Sequence, residues 1–376
     1  MRWAYLALGS LIAIALISGA SAQAPAVTPE QMADYRVKLA EYNAARAAYQ
    51  VQAGPYWAAV KAKRAARFAK RRAHGEITLD DYVLSQPPLY SGPKKPVDPS
   101  SVAREVPVVA DFLRHAAAQF DFVPDKPASE IEFKNAYARV ASAAGLTKDQ
   151  AVRVYAFEAT GNGKYDLEAG QEFDAGANAI TTALGYNQLL ATNSVELLAE
   201  EGKLFVDALK ARAAGLSGAN KAALEKKIAT LQKMIAFSKS VPDDWNLHEQ
   251  LAGTPKGLGI HALNLDIDVG PLLQTQKLMT SVKFAKARGY AAPLTAAELE
   301  MMNLTGDGNG FDMVTMPQEM RGKVPTSNFF TQSGYEHNPV ARKNNTVATL
   351  LSATDAVMNR ESQLQGAKDL AAAFGS

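Results

Sequence analysis

The sequence predicts a mainly α fold, and three observations support this. Apolar residues recur every three or four positions over most of the chain, as on one face of an α-helix. Serine, threonine or asparagine repeatedly stands just before such a segment, often with Glu or Gln three positions later, which is typical of a helix N-terminus. Runs of alternating apolar and polar residues, which would predict β-strands, do not occur.

The first 22 residues are typical of a cleavable secretory signal peptide. Arg2 supplies a positive charge, residues 6–17 form an apolar run, and the small residues 20–22 match a cleavage site. The apolar run is shorter than the ~20 residues that span a bilayer. We therefore expect cleavage after Ala22, no transmembrane anchor in the mature chain, and a secreted, periplasmic protein.

Composition narrows the chemistry that the chain can perform. It has 376 residues, a formal net charge of +2 and no cysteine. The small net charge argues against a nucleic-acid-binding protein, and the lack of cysteine excludes disulfides and thiolate sites. The five histidines are too dispersed along the sequence to predict a metal cluster, so we expect neither a metal nor a cofactor.

Residues 23–85 are predicted to form a helical arm. Thr28, Pro29 and Gln31 have the positions expected of a capped helix start. An apolar stripe follows that should pack against another part of the protein: Met32, Tyr35, Leu39, Tyr42, Ala45 and Tyr49.

The second half of the arm, after Trp57, is strongly basic. Its cations include Lys61, Arg64, Arg67 and Arg71. Two interpretations are open for this pattern. It is either a solvated helix face or a surface attracted to an anionic part of the cell envelope, such as acidic lipid or wall polymer.

Beyond the arm, residues 86–107 contain six prolines and predict a linker or an extended strap. Residues 108–376 are then predicted to form one helical domain. Two segments of it, 195–214 and 219–237, carry matching apolar stripes and predict an inserted antiparallel helical hairpin. Five residues are expected to cap helices: Ser129, Thr147, Asn193, Ser217 and Thr295.

One carboxylate, Glu158, stands out in this domain. The helix that starts after Thr147 is apolar at Val152, Tyr155 and Phe157, so Glu158 falls in the last turn of a largely buried helix. Burial and the negative end of the helix dipole should both raise its pKa. A carboxylic acid that stays protonated near neutral pH is suited to protonating a leaving sugar oxygen. The alternative is a helix-end glutamate that pairs with Arg153 or Lys164.

Two short motifs around Glu158 resemble a known catalytic region. Glu158 is followed by Thr160, and residues 183–190 read Ala-Leu-Gly-Tyr-Asn-Gln-Leu-Leu. In this order they resemble the lysozyme-like superfamily, in particular soluble lytic transglycosylases and goose-type lysozymes. The resemblance implies that Glu158 is the catalytic acid and that five residues line the sugar cleft: Thr160, Gly185, Tyr186, Gln188 and, by a weaker echo of a third motif, Asn303. For Tyr186 the alternative is a core aromatic.

The sequence also departs from the family pattern. Ala159 stands where the family usually has serine, and the interval from Glu158 to Gln188 is longer than usual. Residues 191–301 form a long insertion before the third motif. The resemblance therefore covers residues 147–193, and elsewhere it extends only to the type of secondary structure.

The resemblance implies a reaction on peptidoglycan glycan strands. Glu158 would protonate the oxygen that links N-acetylmuramic acid to N-acetylglucosamine, while the N-acetyl group of the substrate stabilises the charge without an enzyme nucleophile. The ionised Glu158 would then take the proton of the 6-hydroxyl group, which closes a 1,6-anhydro ring without water. An inverting lysozyme would instead need a second carboxylate about 6.5–9.5 Å away. Four acids between the motifs are candidates, although such acids are commonly solvated or capping: Asp166, Glu168, Glu172 and Asp174.

Two other acidic patterns do not predict metal sites. Residues 305–312 carry Asp and Asn at alternate positions but lack the glutamate that completes a calcium loop, so a tight turn is predicted. Asp266 and Asp268 predict a local cap or a short extended piece.

We therefore expect an exported, lysozyme-like helical protein with an N-terminal helical arm that cleaves peptidoglycan as a lytic transglycosylase or a muramidase. An alternative from another class stays open, namely a non-catalytic envelope protein that binds wall glycan or a protein partner.

Overall fold

The computed structural model describes residues 27–101, 106–161, 163, 165–171 and 179–375. The predicted signal peptide lies outside these residues. The described chain is mainly helical, with 69% helix and 1% strand, which confirms the mainly α prediction. Within the described ranges, extended pairing is limited to two isolated bridges, Leu184 with Leu189 and Pro325 with Thr346.

Sixteen α-helices run through the described residues. They are α1 Pro29–Arg72, α2 Val109–Phe120, α3 Glu130–Ala144, α4 Lys148–Ala159, α5 Ala191–Ala214, α6 Gly218–Ser238, α7 Trp245–Ala252, α8 Pro255–His261, α9 Gly270–Ala287, α10 Ala296–Thr305, α11 Asp307–Val314, α12 Gln318–Arg321, α13 Gln332–Glu336, α14 Pro339–Lys343, α15 Val347–Glu361 and α16 Gln365–Ala373. Over these stretches of chain, none of the helices has the length and apolar character that crossing a membrane requires.

The chain forms two compact units. The first, here called the main unit, consists of the described residues within 106–303 and 354–375. The second, the arm unit, consists of residues 27–101 and 304–353. This division differs from the single domain predicted over 108–376, because 304–353 belong with the arm.

Local capping fixes the helix starts of the main unit. Thr147 and Gln150 exchange hydrogen bonds between side chain and main chain at the start of α4, and Thr295 and Glu298 do the same before α10. Ser129 caps α3 by accepting from the main-chain N–H of Glu132, whereas Ser217 stands at the expected position before α6 without a side-chain capping hydrogen bond. The start predicted at Asn193 is wrong by about one turn, because α5 begins at Ala191 and Asn193 accepts from the main-chain N–H of Leu190 within its first turn.

The predicted helical hairpin is present as α5 and α6. The connection between them is short, and their buried faces meet so closely that a Cβ on Gly202 would lie 2.6 Å from Cγ1 of Ile235. Glycine therefore allows the two helices to approach one another at this point.

In the arm unit, the tyrosine stripe of α1 packs against the proline-rich strap. The ring of Tyr90 in the strap lies edge-on to Tyr42 and Tyr49, with centroids 6.2 and 5.4 Å away. The hydroxyl group of Tyr49 also donates to the carbonyl oxygen of Pro88, 3.1 Å away. This covers part of the stripe, whose members are half-buried.

The basic half of α1 is not a solvated face along its whole length. Arg67 is fully buried and donates from Nε to Asp312 at 2.7 Å, and Arg71 donates to the same carboxylate at 2.6 Å. Arg64 donates to the main-chain oxygens of Asn328 and Phe330. The expectation that these three arginines face an anionic partner is therefore corrected, because they hold residues 304–353 against α1. Lys61, the fourth cation of that set, is exposed.

The two acidic patterns also have structural outcomes. The tight turn predicted over 305–312 is wrong, since α11 begins at Asp307 directly after Gly306, whose φ is +80°. Asp266 is a local cap, as predicted, because its Oδ1 accepts from the main-chain N–H groups of Asp268 and Val269 at 3.0 and 3.1 Å.

Candidate functional site

Glu158 lies in the last turn of α4, where the helix is stopped by Thr160 in the left-handed region at φ +65°. The chain continues through Gly161, whose carbonyl oxygen accepts from the main-chain N–H of Ala367 at 3.2 Å. Gly366 approaches the same segment so closely that a Cβ there would lie 2.5 Å from that carbonyl oxygen. Helix α16 thus holds the chain that follows Glu158.

The carboxyl group of Glu158 meets two residues from α10. Nδ2 of Asn303 donates to Oε1 of Glu158 at 3.0 Å and lies 3.5 Å from Oε2 of Glu300. The amide group of Asn303 thus joins the carboxyl groups of Glu158 and Glu300, and the charge of Glu158 acts on Glu300. Glu300 is buried, with 2% of its surface exposed, whereas Glu158 is half-buried. The structure therefore brings Asn303 to Glu158 and adds a second carboxyl group.

Both carboxyl groups hold their protons more tightly than in water. Burial raises the pKa of Glu158 to about 7, against lowering effects of Lys277, Glu300 and Asn303, and this confirms the direction predicted from the sequence. Burial, followed by the charge of Glu158, raises the pKa of Glu300 well above its usual value. Glu158 can therefore gain or lose a proton near neutral pH.

A third acid belongs to the same electrostatic environment. Burial raises the pKa of Glu196 on α5 to about 7, the charge of Glu200 adds to this effect, and Lys277 opposes it. The ammonium group of Lys277 on α9 thus acts on Glu158, Glu300 and Glu196.

The alternative in which Glu158 pairs with Arg153 does not hold for that partner. Arg153 donates to Asp355 at 2.6 Å and lies 3.6 Å from Asp149. The other candidate, Lys164, is outside the described residues. Glu158 is therefore not a structural partner of Arg153.

The turn over 184–189 is closed by main-chain hydrogen bonds between Leu184 and Leu189. Gly185 has φ +81°, and a Cβ there would meet Nε2 of Gln274 at 2.5 Å, so this position requires glycine. Asn187 is fully buried, and its Nδ2 donates to the carbonyl oxygen of Gln274 at 2.7 Å. Packing against α9 thus determines the shape of the turn.

The expectation that Tyr186 holds sugar hydroxyl groups is corrected. Its side chain is fully buried, its ring lies 4.5 Å from that of Tyr155 between centroids, and its hydroxyl group donates to Glu130. Burial raises the pKa of Glu130 to about 7. Tyr186 is a core aromatic that fastens the turn to α4 one helical turn before Glu158.

The remaining predicted cleft residues are more accessible. Gln188 is half-buried and its Nε2 donates to the carbonyl oxygens of Ala169 and Gly185 at 2.8 and 2.9 Å. Thr160, which stands two positions after Glu158 in the sequence, is exposed. Their role in binding sugar stays a prediction.

The described candidates for a water-activating carboxylate have other partners. Oδ2 of Asp166 accepts from the hydroxyl group of Tyr155 at 2.5 Å and from the main-chain N–H of Gly163 at 3.1 Å. Glu168 accepts from Lys126 at 2.8 Å. The other two candidates, Glu172 and Asp174, lie outside the described residues.

Sequence reasoning missed Glu300, Lys277 and Glu196. A signal existed for Glu300, because it stands three positions before Asn303 in a predicted helix and therefore on the same face. All three residues belong to the insertion over 191–301, and for Lys277 and Glu196 no motif in it indicated a place near Glu158.

Across the described part of the chain, histidine and acidic side chains form no group of three that could hold a metal ion. Comparison of the chain with protein-family models, curated proteins and solved structures found no match.

Proposed function

We propose that this protein cleaves peptidoglycan glycan strands between N-acetylmuramic acid and N-acetylglucosamine, as a lytic transglycosylase exported to the periplasm. The observation that carries the proposal is the half-buried Glu158 at the end of α4, with a pKa raised to about 7 and a hydrogen bond from Asn303. Such a group is protonated in a useful fraction at neutral pH and can also act as a base once ionised.

The proton that Glu158 gives up is replaced by one from the substrate itself. Glu158 gives its proton to the glycosidic oxygen as the bond to C1 of the muramic acid breaks, and the N-acetyl oxygen stabilises the positive charge. Glu158 then takes the proton of the 6-hydroxyl group while that oxygen bonds to C1. The products are a 1,6-anhydro end and a free 4-hydroxyl group, and no water is consumed.

The positions of the acids favour this route over hydrolysis. Glu300 and Glu158 contact the same amide nitrogen of Asn303, at 3.5 and 3.0 Å, whereas the base of an inverting glycosidase stands about 6.5–9.5 Å from the acid with a water between them. Asp166 and Glu168 already bind Tyr155 and Lys126. A single carboxyl group that serves as acid and then as base fits this arrangement.

The test compares the mature chain, Glu158→Gln and Glu168→Gln on purified peptidoglycan, with the released fragments analysed by mass spectrometry. We expect anhydro fragments from the wild type and from Glu168→Gln, and at least a hundredfold less from Glu158→Gln. Glu168→Gln is the matched control, because it makes the same chemical change at a glutamate that pairs with the partly exposed Lys126.

Three results would contradict the proposal. Fragments heavier by one water would identify a hydrolase, and equal release by Glu158→Gln would exclude Glu158. Binding of the chain to peptidoglycan without release would support the non-catalytic alternative instead.

A further inference from the structure

Glu300 is a buried carboxyl group to which the proposed reaction gives no role. It lies one helical turn before Asn303 on α10, and Nδ2 of Asn303 is 3.0 Å from Oε1 of Glu158 and 3.5 Å from Oε2 of Glu300, so one amide group joins the two carboxyl groups. Two carboxyl groups held this close in a buried site disfavour a charge on both, and carboxylate oxygens can only accept hydrogen bonds. We therefore expect the pair to hold at least one proton near neutral pH.

Two differences in surroundings favour the negative charge on Glu158 and the proton on Glu300. Glu300 is 2% exposed and Glu158 is half-buried, so desolvation disfavours a charge more at Glu300. Nδ2 of Asn303 lies 3.0 Å from Glu158 but 3.5 Å from Glu300, so its hydrogen bond stabilises a charge on Glu158 more strongly.

The charges on the neighbouring helices lead to the same assignment. Lys277 on α9 acts on Glu158, on Glu300 and also on Glu196 of α5. One positive charge that acts on three carboxyl groups compensates one negative charge at the pair more readily than two.

We propose that Glu300 remains a neutral carboxylic acid when Glu158 ionises, and donates its proton in a hydrogen bond to Glu158. Glu300 is then a positioning residue that orients the carboxyl group of Glu158 and stabilises its ionised form. Its effect on the base step at the 6-hydroxyl group rests on the proposed function, whereas its protonation does not.

The first test is infrared spectroscopy of the mature chain, which distinguishes a carboxylic acid from a carboxylate. At about pH 8, Glu158, Glu196 and Glu130 are mostly ionised, since each has a pKa of about 7. We expect a carboxylic acid band that is lost in Glu300→Gln and kept in the matched control Glu196→Gln. Absence of the band from the wild type, or its persistence in Glu300→Gln, would overturn the proposal.

The second test follows the ionisation of Glu158 by NMR of protein labelled at the glutamate carboxyl carbons. Glutamine offers an N–H donor in place of the proposed O–H donor, so Glu300→Gln should leave the midpoint of Glu158 within about half a pH unit. Glu300→Leu removes the donor and should raise the midpoint by about one unit. A fall of one unit or more in Glu300→Gln would mean that Glu300 carried a charge, which refutes the proposal.

Kinetics then separate this inference from the proposed function. With an active enzyme, the fall of kcat/KM at high pH should have the midpoint measured for Glu158 by NMR, in the wild type and in Glu300→Gln. A chain that releases no wall fragments would refute the proposed function, while the spectra would still decide the protonation of Glu300.

Discussion

Replacement of Asp312 by Asn should destabilise the arm unit strongly. Asp312 is 1% exposed and accepts hydrogen bonds from Arg67 at 2.7 Å, Arg71 at 2.6 Å and Tyr82 at 3.2 Å. The guanidinium group of Arg67 is completely buried and would lose its compensating charge. Removing one partner of such a pair costs about 3–5 kcal/mol, because the other charge stays desolvated.

Urea denaturation followed by tryptophan fluorescence measures this loss. A chain that starts at residue 23 has two tryptophans, Trp57 in the arm unit and Trp245 in the main unit, so a Trp245→Phe background makes the signal specific for the arm unit. The matched control is Asp34→Asn, the same chemical change in a pair with Lys38 whose side chains are about 60% exposed. We expect less than about 0.5 kcal/mol for this control.

A double-mutant cycle separates the buried charge from other effects. Arg67→Met together with Asp312→Asn should lose less than the sum of the two single losses, since neither charge is then left without the other. Equal losses in Asp312→Asn and Asp34→Asn would refute the assignment of the basic half of α1 to internal ion pairing.

Two further predictions concern the main unit. Burial raises the pKa of Glu130 from 4.5 to about 7, so its contribution to stability is present below pH 4.5 and is lost as the pH rises towards 7. At about 1.4 kcal/mol per pH unit, this loss of the free energy of unfolding amounts to up to about 3 kcal/mol, and Glu130→Gln should remove it. Urea denaturation at several pH values measures the effect, and an unchanged pH dependence of stability in Glu130→Gln would contradict the prediction. Gly366→Ala places a Cβ 2.5 Å from the carbonyl oxygen of Gly161 and should cost about 1–3 kcal/mol in the same assay. Gly322→Ala controls for the loss of glycine, because a Cβ there meets no atom within 4 Å and the backbone has φ −74°, which alanine adopts without strain. Equal costs for the two glycine variants would argue against tight packing of α16 on α4.

Local signals predicted much of the fold. The capping pairs Thr147 with Gln150 and Thr295 with Glu298 are formed between residues three apart, so the sequence contains all the information they need. The hairpin of α5 and α6 follows from two apolar stripes and a short turn for the same reason. The error at Asn193 also has a local cause, since an asparagine can accept from the chain inside the first turn as well as before it.

Long-range contacts were not predictable in this way. Arg67 and Lys61 look alike in a basic segment, but Arg67 is buried against Asp312, at a sequence separation of 245 positions, while Lys61 stays exposed. The same holds for Glu300, whose contact with Glu158 depends on how α10 packs rather than on spacing. Sequence could predict that Glu158 is shielded from water, but not which groups share its proton.

The turn over 184–189 shows why a motif alone is weak support for a site. A side chain at position 185 would collide with Gln274, Tyr186 packs in the aromatic core, and Asn187 is hydrogen-bonded to α9. Core packing therefore accounts for three residues of the resemblance. Packing does not account for Glu158 and Glu300 in the same way. A carboxyl group whose pKa is raised by burial makes the native state less stable as the pH rises, and neither acid is paired with Arg153. The proposed reaction at Glu158 would give these two acids a purpose that offsets their cost to stability at neutral pH.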